Sequence, residues 1–197
     1  DYSMLNTLTS QTQSINPTMT FGIQATNTSN ATNIVVRSGS VGVFIVGLRE
    51  RIGATYGQNN FKSIATTDTN VLTIRNNTTI NGVTNQGQLR VRSISASTVA
   101  AVPVVFKLIK NTTLGGVPAY TNIDATNSIA AFDIAGTTVT GGNTQFNTTI
   151  GANGNQFVDL TGFDIFLAPG DTLTCTAAAI SGAAANHVVT INWNEDI

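Results

Sequence analysis

The feature that most constrains this chain is its punctuation. From about residue 18 onward, short runs rich in Val, Ile, Thr and Phe are broken by clusters of Asn, Gly and Asp at intervals of roughly ten residues. No stretch keeps apolar residues at the three- and four-residue spacing of a helix without a Gly, an Asn or a β-branched run intervening. The spacing predicts antiparallel strands joined by tight turns: an all-β, two-sheet, jelly-roll-like sandwich of about eleven strands. The expected strands are 18–25, 33–37, 41–49, 70–75, 88–95, 103–110, 129–134, 145–150, 163–167, 172–177 and 187–193. Asn81-Gly82, Gly115-Gly116, Gly141-Gly142, Asn153-Gly154 and Pro169-Gly170-Asp171 supply turn chemistry between them. Residues 76–85 read as a surface loop, and 46–56, with Arg49, Glu50 and Arg51 among glycines, as irregular structure with room for one short helix.

Period-two alternation assigns side chains to faces. Val104, Phe106 and Leu108 point one way and Val105, Lys107 and Ile109 the other, while Phe163, Ile165 and Leu167 alternate with Asp164 and Phe166. Val105, Ile109 and Phe166 are then apolar on the outward side. They require a second covering layer, which is a loop, the other sheet or a neighbouring subunit. They are therefore candidates for self-association.

The first seventeen residues have another texture. Tyr2, Met4 and Leu5 sit among Asn, Gln, Ser and Thr, and the segment ends at Asn16-Pro17. It reads as a polar arm with apolar anchors that drapes over its own sheet or adds a strand to a neighbour, so these three residues join the candidate contact set. Residues 18–197 then form a single sandwich domain, a size within the range of one all-β unit. A chain that begins at Asp1 without Met reads as a processed or excised segment.

Charge narrows the partners. Only 10% of residues are charged and the net charge is −1, whereas Thr and Asn together make up roughly a quarter of the chain. Such a surface relies on hydroxyls and amides. Phosphate binding needs clustered cations, and the nearest approaches are Arg49-Glu50-Arg51 and the pair Arg90 and Arg92, so nucleic acid is not an expected partner. The longest apolar run, 41–48, has strand length, so membrane insertion is not expected either.

No chemistry-bearing constellation stands out. The single histidine, His187, opens the last strand without a nucleophile motif, and reads as a surface residue at a strand end. The acids are scattered singly, with Asp171 placed to cap the Pro169-Gly170 turn, so neither a carboxylate pair nor a calcium loop is indicated. The lone Cys175 alternates with Leu173 and reads as a core residue, and Trp193 as core or interface. The expectation is a non-enzymatic chain with no catalytic residues, no metal and no cofactor. The six Asn-x-Ser/Thr sequons, at Asn27, Asn30, Asn76, Asn77, Asn111 and Asn147, are about as many as chance supplies in this composition.

Four blocks in the C-terminal half go further. They are Gly87-Gln88-Leu89-Arg90-Val91-Arg92-Ser93-Ile94, Val104-Val105-Phe106-Lys107-Leu108-Ile109-Lys110-Asn111, Leu167-Ala168-Pro169-Gly170-Asp171-Thr172-Leu173-Thr174 and Ile191-Asn192-Trp193-Asn194-Glu195-Asp196. Over about residues 88–196 the chain resembles β-sandwich structural proteins of tailed bacteriophages, of the head-decoration and fibre type. The resemblance implies a jelly-roll-like sandwich, commonly trimeric, on a virion surface or outside cells. Its partners would be copies of itself and other virion proteins, with a host surface glycan as a further one. The other functions that composition and arm suggest are an extracellular filament or pilus-like subunit assembling by strand donation, and a carbohydrate-binding module.

Overall fold

The computed structural model describes residues 54–196. The arm at 1–17 with Tyr2, Met4 and Leu5, and the strands expected at 18–25, 33–37 and 41–49, lie outside the described residues. In chain order the elements are β1 (Thr55–Ile64), β2 (Thr69–Asn76), β3 (Thr79–Ile80), β4 (Val83–Thr84), β5 (Gln88–Thr98), β6 (Val104–Lys110), β7 (Thr113–Leu114) and β8 (Thr121–Asn122). There follow β9 (Ala130–Asp133), β10 (Val139–Thr140), β11 (Asn143–Ile150), β12 (Asn155–Asp159), a 3-10 turn (Thr161–Phe163), β13 (Phe166–Leu167), β14 (Thr172–Ala179) and β15 (Ala185–Asp196).

They form an antiparallel two-sheet, jelly-roll-like sandwich. One sheet runs β1-β15-β5-β12, with β13 also on β5, and the other β11-β6-β14-β2-β9-β8. The neighbours in each are far apart in sequence, as when β1 pairs with β15 over ten positions from Thr55↔Asn194 to Ile64↔Ala185. The core lies between the sheets. Leu89, Val91, Ile94, Val189, Ile191 and Trp193 meet Leu72, Ile74, Phe106, Leu108, Leu173 and Cys175, all buried. Each large side chain removed from water in this way contributes about 1.5–3 kcal/mol.

Local chemistry explains the turns and breaks. Asn81 and Gly82 both have positive φ, 50° and 76°, as a two-residue hairpin turn with the twist of β3 and β4 requires. Thus 76–85 is a short hairpin and not a loose loop. Both its ends are inside: Asn76 Nδ2 donates to Gly87 O (3.0 Å) and Leu167 O (2.9 Å), and Asn85 Nδ2 to Asn76 Oδ1 (2.7 Å). In β5, Val91 opposes Trp193 and Ser93 opposes Asn192, so Arg92 is the extra residue of a bulge. The bulge moves Ile94 and Ala96 onto the inward side already held by Leu89 and Val91.

Two further expectations are corrected. The strand at 163–167 shrinks to Phe166–Leu167, because the Phe163 N–H bonds to Leu160 O (3.0 Å) in the 3-10 turn and Asp164 takes a left-handed φ of 49°. Phe163 is consequently exposed, while Ile165 and Leu167 keep their core places. The irregular stretch expected at 46–56 reaches into β1 from Thr55, and β1 itself was not expected, its inward positions Gln58, Asn60 and Lys62 being polar.

Candidate interaction face

Each sheet has an inner face on the core and an outer one, and the two outer faces are finished differently. On the second sheet the row Ile109, Thr174, Thr73, Asp133 runs across β6, β14, β2 and β9. Thr73, Thr174 and Asp133 are fully buried. Thr73 Oγ1 donates to Asn70 Oδ1 (3.1 Å), an atom that only accepts, so the 2.9 Å contact between Thr73 and Thr174 has Thr174 as donor. The 2.9 Å contact between Thr112 and Thr174 is then donated by Thr112. The chain ends where Asn70 Nδ2 donates to Asp133 Oδ1 (3.3 Å). Asp133 also receives the N–H groups of Ala119 (2.6 Å), Ala135 (3.3 Å) and Gly136 (2.8 Å), fastening to the sheet the stretch before β8 and the 134–142 connection that follows β9.

This segment is the cover that Ile109 needs. A Cβ added at Gly142 would lie 2.6 Å from Lys110 O and 3.0 Å from Ile109 Cγ2, so only glycine lets the backbone come so close. Lys62 fastens the same segment, with Nζ donating to Ile134 O (3.2 Å) and Gly136 O (2.6 Å). Burial pushes the pKa of Lys62 down, and the negative charge of Asp133 partly offsets this.

The outer face of the first sheet carries no such layer among the described residues. Register places Phe61, Val188, Ser97 and Asn155 in one row, and Asn59, Thr190, Ser95 and Phe157 in the next. Neither row contains a charge. Phe61 is 69% exposed, Phe157 67% and Val188 37%. Charges begin beyond the rows, with Asp159, Arg90 and Arg92. The Asn194 amide fits between Thr55 Oγ1 (3.0 Å) and the Arg92 guanidinium (3.2 Å), nitrogen to the former and oxygen to the latter.

The residues singled out in the sequence therefore separate. Ile109 is buried and Val105 half-buried on the second sheet. Phe166 is half-buried on β13, where the Arg90 guanidinium stacks 4.8 Å from its ring centre. Val105 and Ile109 lie outside the open face, whereas Phe166, opposite Arg90, lies on the same outer side of the first sheet, half-buried beyond the uncharged rows. Phe61, Phe157 and Val188 form the exposed part of that face, and sequence reasoning missed them: Phe61 and Phe157 lie in polar runs that resemble loops, and Val188 was not singled out from its strand.

Other single residues sort clearly. His187 is not a surface residue: it is fully buried at the start of β15, with Nδ1 2.9 Å from Thr98 Oγ1 and Nε2 3.1 Å from Ile64 O. The carbonyl only accepts, so Nε2 holds the proton, and Thr98 donates to Nδ1 while accepting from the Ala100 N–H (2.9 Å). Burial lowers the pKa of His187, against the favourable hydrogen bond to Ile64. Cys175 is buried and its thiol pKa is pushed up by that burial. Asp171 caps its turn as expected, accepting from the Ala168 N–H (2.9 Å) and pairing with Lys110 (2.8 Å). Burial opposes its charge, but Lys110, Asn111 and that N–H hold its carboxyl below the ordinary range.

Trp193 is core: it lies against Tyr56 with ring centres 6.4 Å apart, and donates from Nε1 to Glu195 Oε1 (3.1 Å). Glu195, also buried, accepts from Ser128 Oγ (2.6 Å) and the Ile129 N–H (2.9 Å). This latch from β15 to the start of β9 is a structural use of a carboxylate that its position near the chain end did not suggest. No group of three or more His, Cys, Asp or Glu gathers at metal-binding distance among the described residues.

Fold and face together define an antiparallel β-sandwich in which, among the described residues, one outer surface is sealed over its middle strands and the other is open. No family model matches the chain, and no curated protein does.

Proposed function

We propose that this chain is a structural, non-enzymatic protein that assembles with copies of itself, a virion-type building block displayed on a particle or outside cells. The open face of β1, β15, β5 and β12 is the observation that carries the reading. Its hydroxyl and amide groups lose less on leaving water than charges do, and Phe61, Val188 and Phe157 supply apolar area to bury. Two such faces are self-complementary in chemistry, as contacts between identical subunits require. The virion placement and the preference for a trimer rest on the resemblance of residues 88–196 to phage sandwich proteins and on the low charge.

The deciding experiment is the solution mass of the full chain by size exclusion with light scattering, for the wild type and for Val188→Lys. A discrete oligomer that the substitution converts to monomer, with the fold retained, is the expected result. A wild-type chain that stays monomeric at the highest attainable concentration overturns the proposal.

A second reading is favoured by β1. Among the described residues it is a ten-residue edge strand paired only with β15, which is the geometry that strand donation in a filament uses. Deleting residues 1–17 separates the two readings: it abolishes polymers in a filament and leaves a face-to-face oligomer intact.

A further inference from the structure

At the end of β2 the second sheet presents a cation with no anion beside it among the described residues. Two ion pairs join side chains among the described residues, Lys107 with Asp68 and Lys110 with Asp171, and Arg75 belongs to neither. Its guanidinium lies over Tyr120, with Cζ 3.9 Å from the ring centre. Nε and Nη2 both donate to one neutral acceptor, Asn77 Oδ1, at 3.3 and 3.1 Å. Asn77 Nδ2 in turn donates to Asn122 Oδ1 (3.0 Å). This sequence of bonds sets both amides: the oxygens of Asn77 and Asn122 each accept a bond, and the Asn122 NH2, with no partner among the described residues, is a donor. The groove they border has a volume of about 480 Å³ and is completed by Thr78, Thr79 and the backbone of Gly170.

The groove thus offers an excess of donors, one fixed positive charge and hydroxyls, and no apolar side chain. Its volume falls within the range of about 300–1,000 Å³ typical of small-molecule sites. A guanidinium held over an aromatic ring is restricted in orientation; Asn77 takes its Nε–Nη2 edge, and the Nη1–Nη2 edge is the fork that matches a carboxylate. One arginine neutralises too little of a polyphosphate backbone to make a nucleic-acid site. A peptide partner would call for apolar lining, whereas hydroxyl and amide groups flanking a cation fit the ring hydroxyls of a sugar that also bears an acid.

We infer that the Arg75 groove binds an acidic sugar unit of a glycan: the Arg75 guanidinium receives the carboxylate, and Asn122, Thr78 and Thr79 receive the ring hydroxyls. The site uses none of the residues of the open face, so it stands whether or not the chain self-associates there.

The test is a titration of the isotope-labelled full chain, followed by NMR, with glucuronate and with N-acetylneuraminate. Glucose serves as the neutral probe and inorganic phosphate as the bare oxyanion. The Arg75 Nε and the Asn77 and Asn122 side-chain amide signals should move with at least one acidic sugar and saturate with a Kd on the order of 1 mM, as suits a single sugar ring. Glucose should bind at least about tenfold more weakly, the loss expected when a charge-assisted pair is missing. Arg75→Gln should abolish the shifts, and Asn122→Ala, at an exposed position, should weaken them severalfold with the backbone spectrum unchanged. No response to either acidic sugar overturns the inference, as does phosphate binding as tightly as the sugars. Undiminished binding in Arg75→Gln overturns it too; should that variant fail to fold, undiminished binding in Asn122→Ala does the same.

Discussion

The outer surfaces of the two sheets draw on the same residue types and reach opposite states. On the second sheet Thr73, Thr174, Asn70 and Asp133 are fully buried and bonded in series, with the chain's own 134–142 connection fastened to them. On the first sheet Thr190, Ser95, Ser97 and Asn59 stand in rows that end in exposed Phe61 and Phe157. A hydroxyl or amide is indifferent to burial provided its partner comes with it. What separates the faces is therefore the supply of partners: one long connection brings backbone N–H groups to Asp133, and none among the described residues does so for the first sheet. The lesson is that richness in Thr and Asn marks two functions in one molecule, an internal polar layer and an uncharged surface suited to assembly.

Substitutions can break this contrast, and the largest effect is expected where the sealed layer converges. Asp133→Ala removes the acceptor of the Ala119, Ala135 and Gly136 N–H groups and leaves the Asn70 amide only its 3.4 Å bond to Gly136 O. Denaturant unfolding should show a loss of about 3 kcal/mol, the cost of removing a buried carboxylate that accepts one buried and two part-buried N–H groups. Thr73→Val keeps the shape but cuts the directional chain between Thr174 and Asn70, and should cost about 1–3 kcal/mol by the same measurement. A loss below a few tenths in both variants would show that the layer is not a sealed polar network.

The third prediction concerns pH. The folded state holds His187 neutral, with its pKa below the ordinary 6.5, so both states are neutral above that value and no stability is lost there. As pH falls through 6.5 the unfolded chain takes up a proton that the folded chain refuses, and stability falls until the depressed folded pKa is reached. Melting temperature followed from pH 7.5 to 5 should decline, and His187→Leu should flatten that slope while lowering stability throughout. An unchanged slope in the variant would remove His187 as its origin.

The smallest effect on folding belongs to the open face. Phe61→Ser and Val188→Ser should change unfolding free energy by no more than about 0.5 kcal/mol, as for exposed positions without a special role. Combined, they should still abolish self-association in light scattering. A large destabilisation would mean that these residues already contribute to the folded monomer and that the contrast between the faces is overstated.

Much of the scaffold is legible in the sequence because period-two alternation is a local property. The strands at 70–75, 88–95, 103–110, 129–134, 145–150, 172–177 and 187–193 reappear as β2, β5, β6, β9, β11, β14 and β15 with small changes at their ends. Cys175 and Trp193 fall in the core as their neighbours imply. β1 and β12 escaped because their stability comes from partners distant in the chain: Asn60 becomes a good inward residue only when Val71 O lies 2.7 Å from its amide. His187 was misplaced on the surface for the same reason, since Thr98 and Ile64 are invisible from its own stretch of sequence.

Of the contact residues, the sequence identified outward apolar positions but could not tell a covered one from an open one. Ile109 is covered because Gly142 lets the backbone descend on it, and Phe61 is open because no described segment reaches it. By itself the sequence determined the all-β class, the turns and the apolar side of most strands, because these depend on alternation and on residues that tolerate positive φ. Tertiary structure alone decided which polar residues are internal, which outer face is sealed and where Arg75 stands with no anion among the described residues. Each of these depends on which distant groups meet, and pairing between residues far apart along the chain is not written in any short stretch of it.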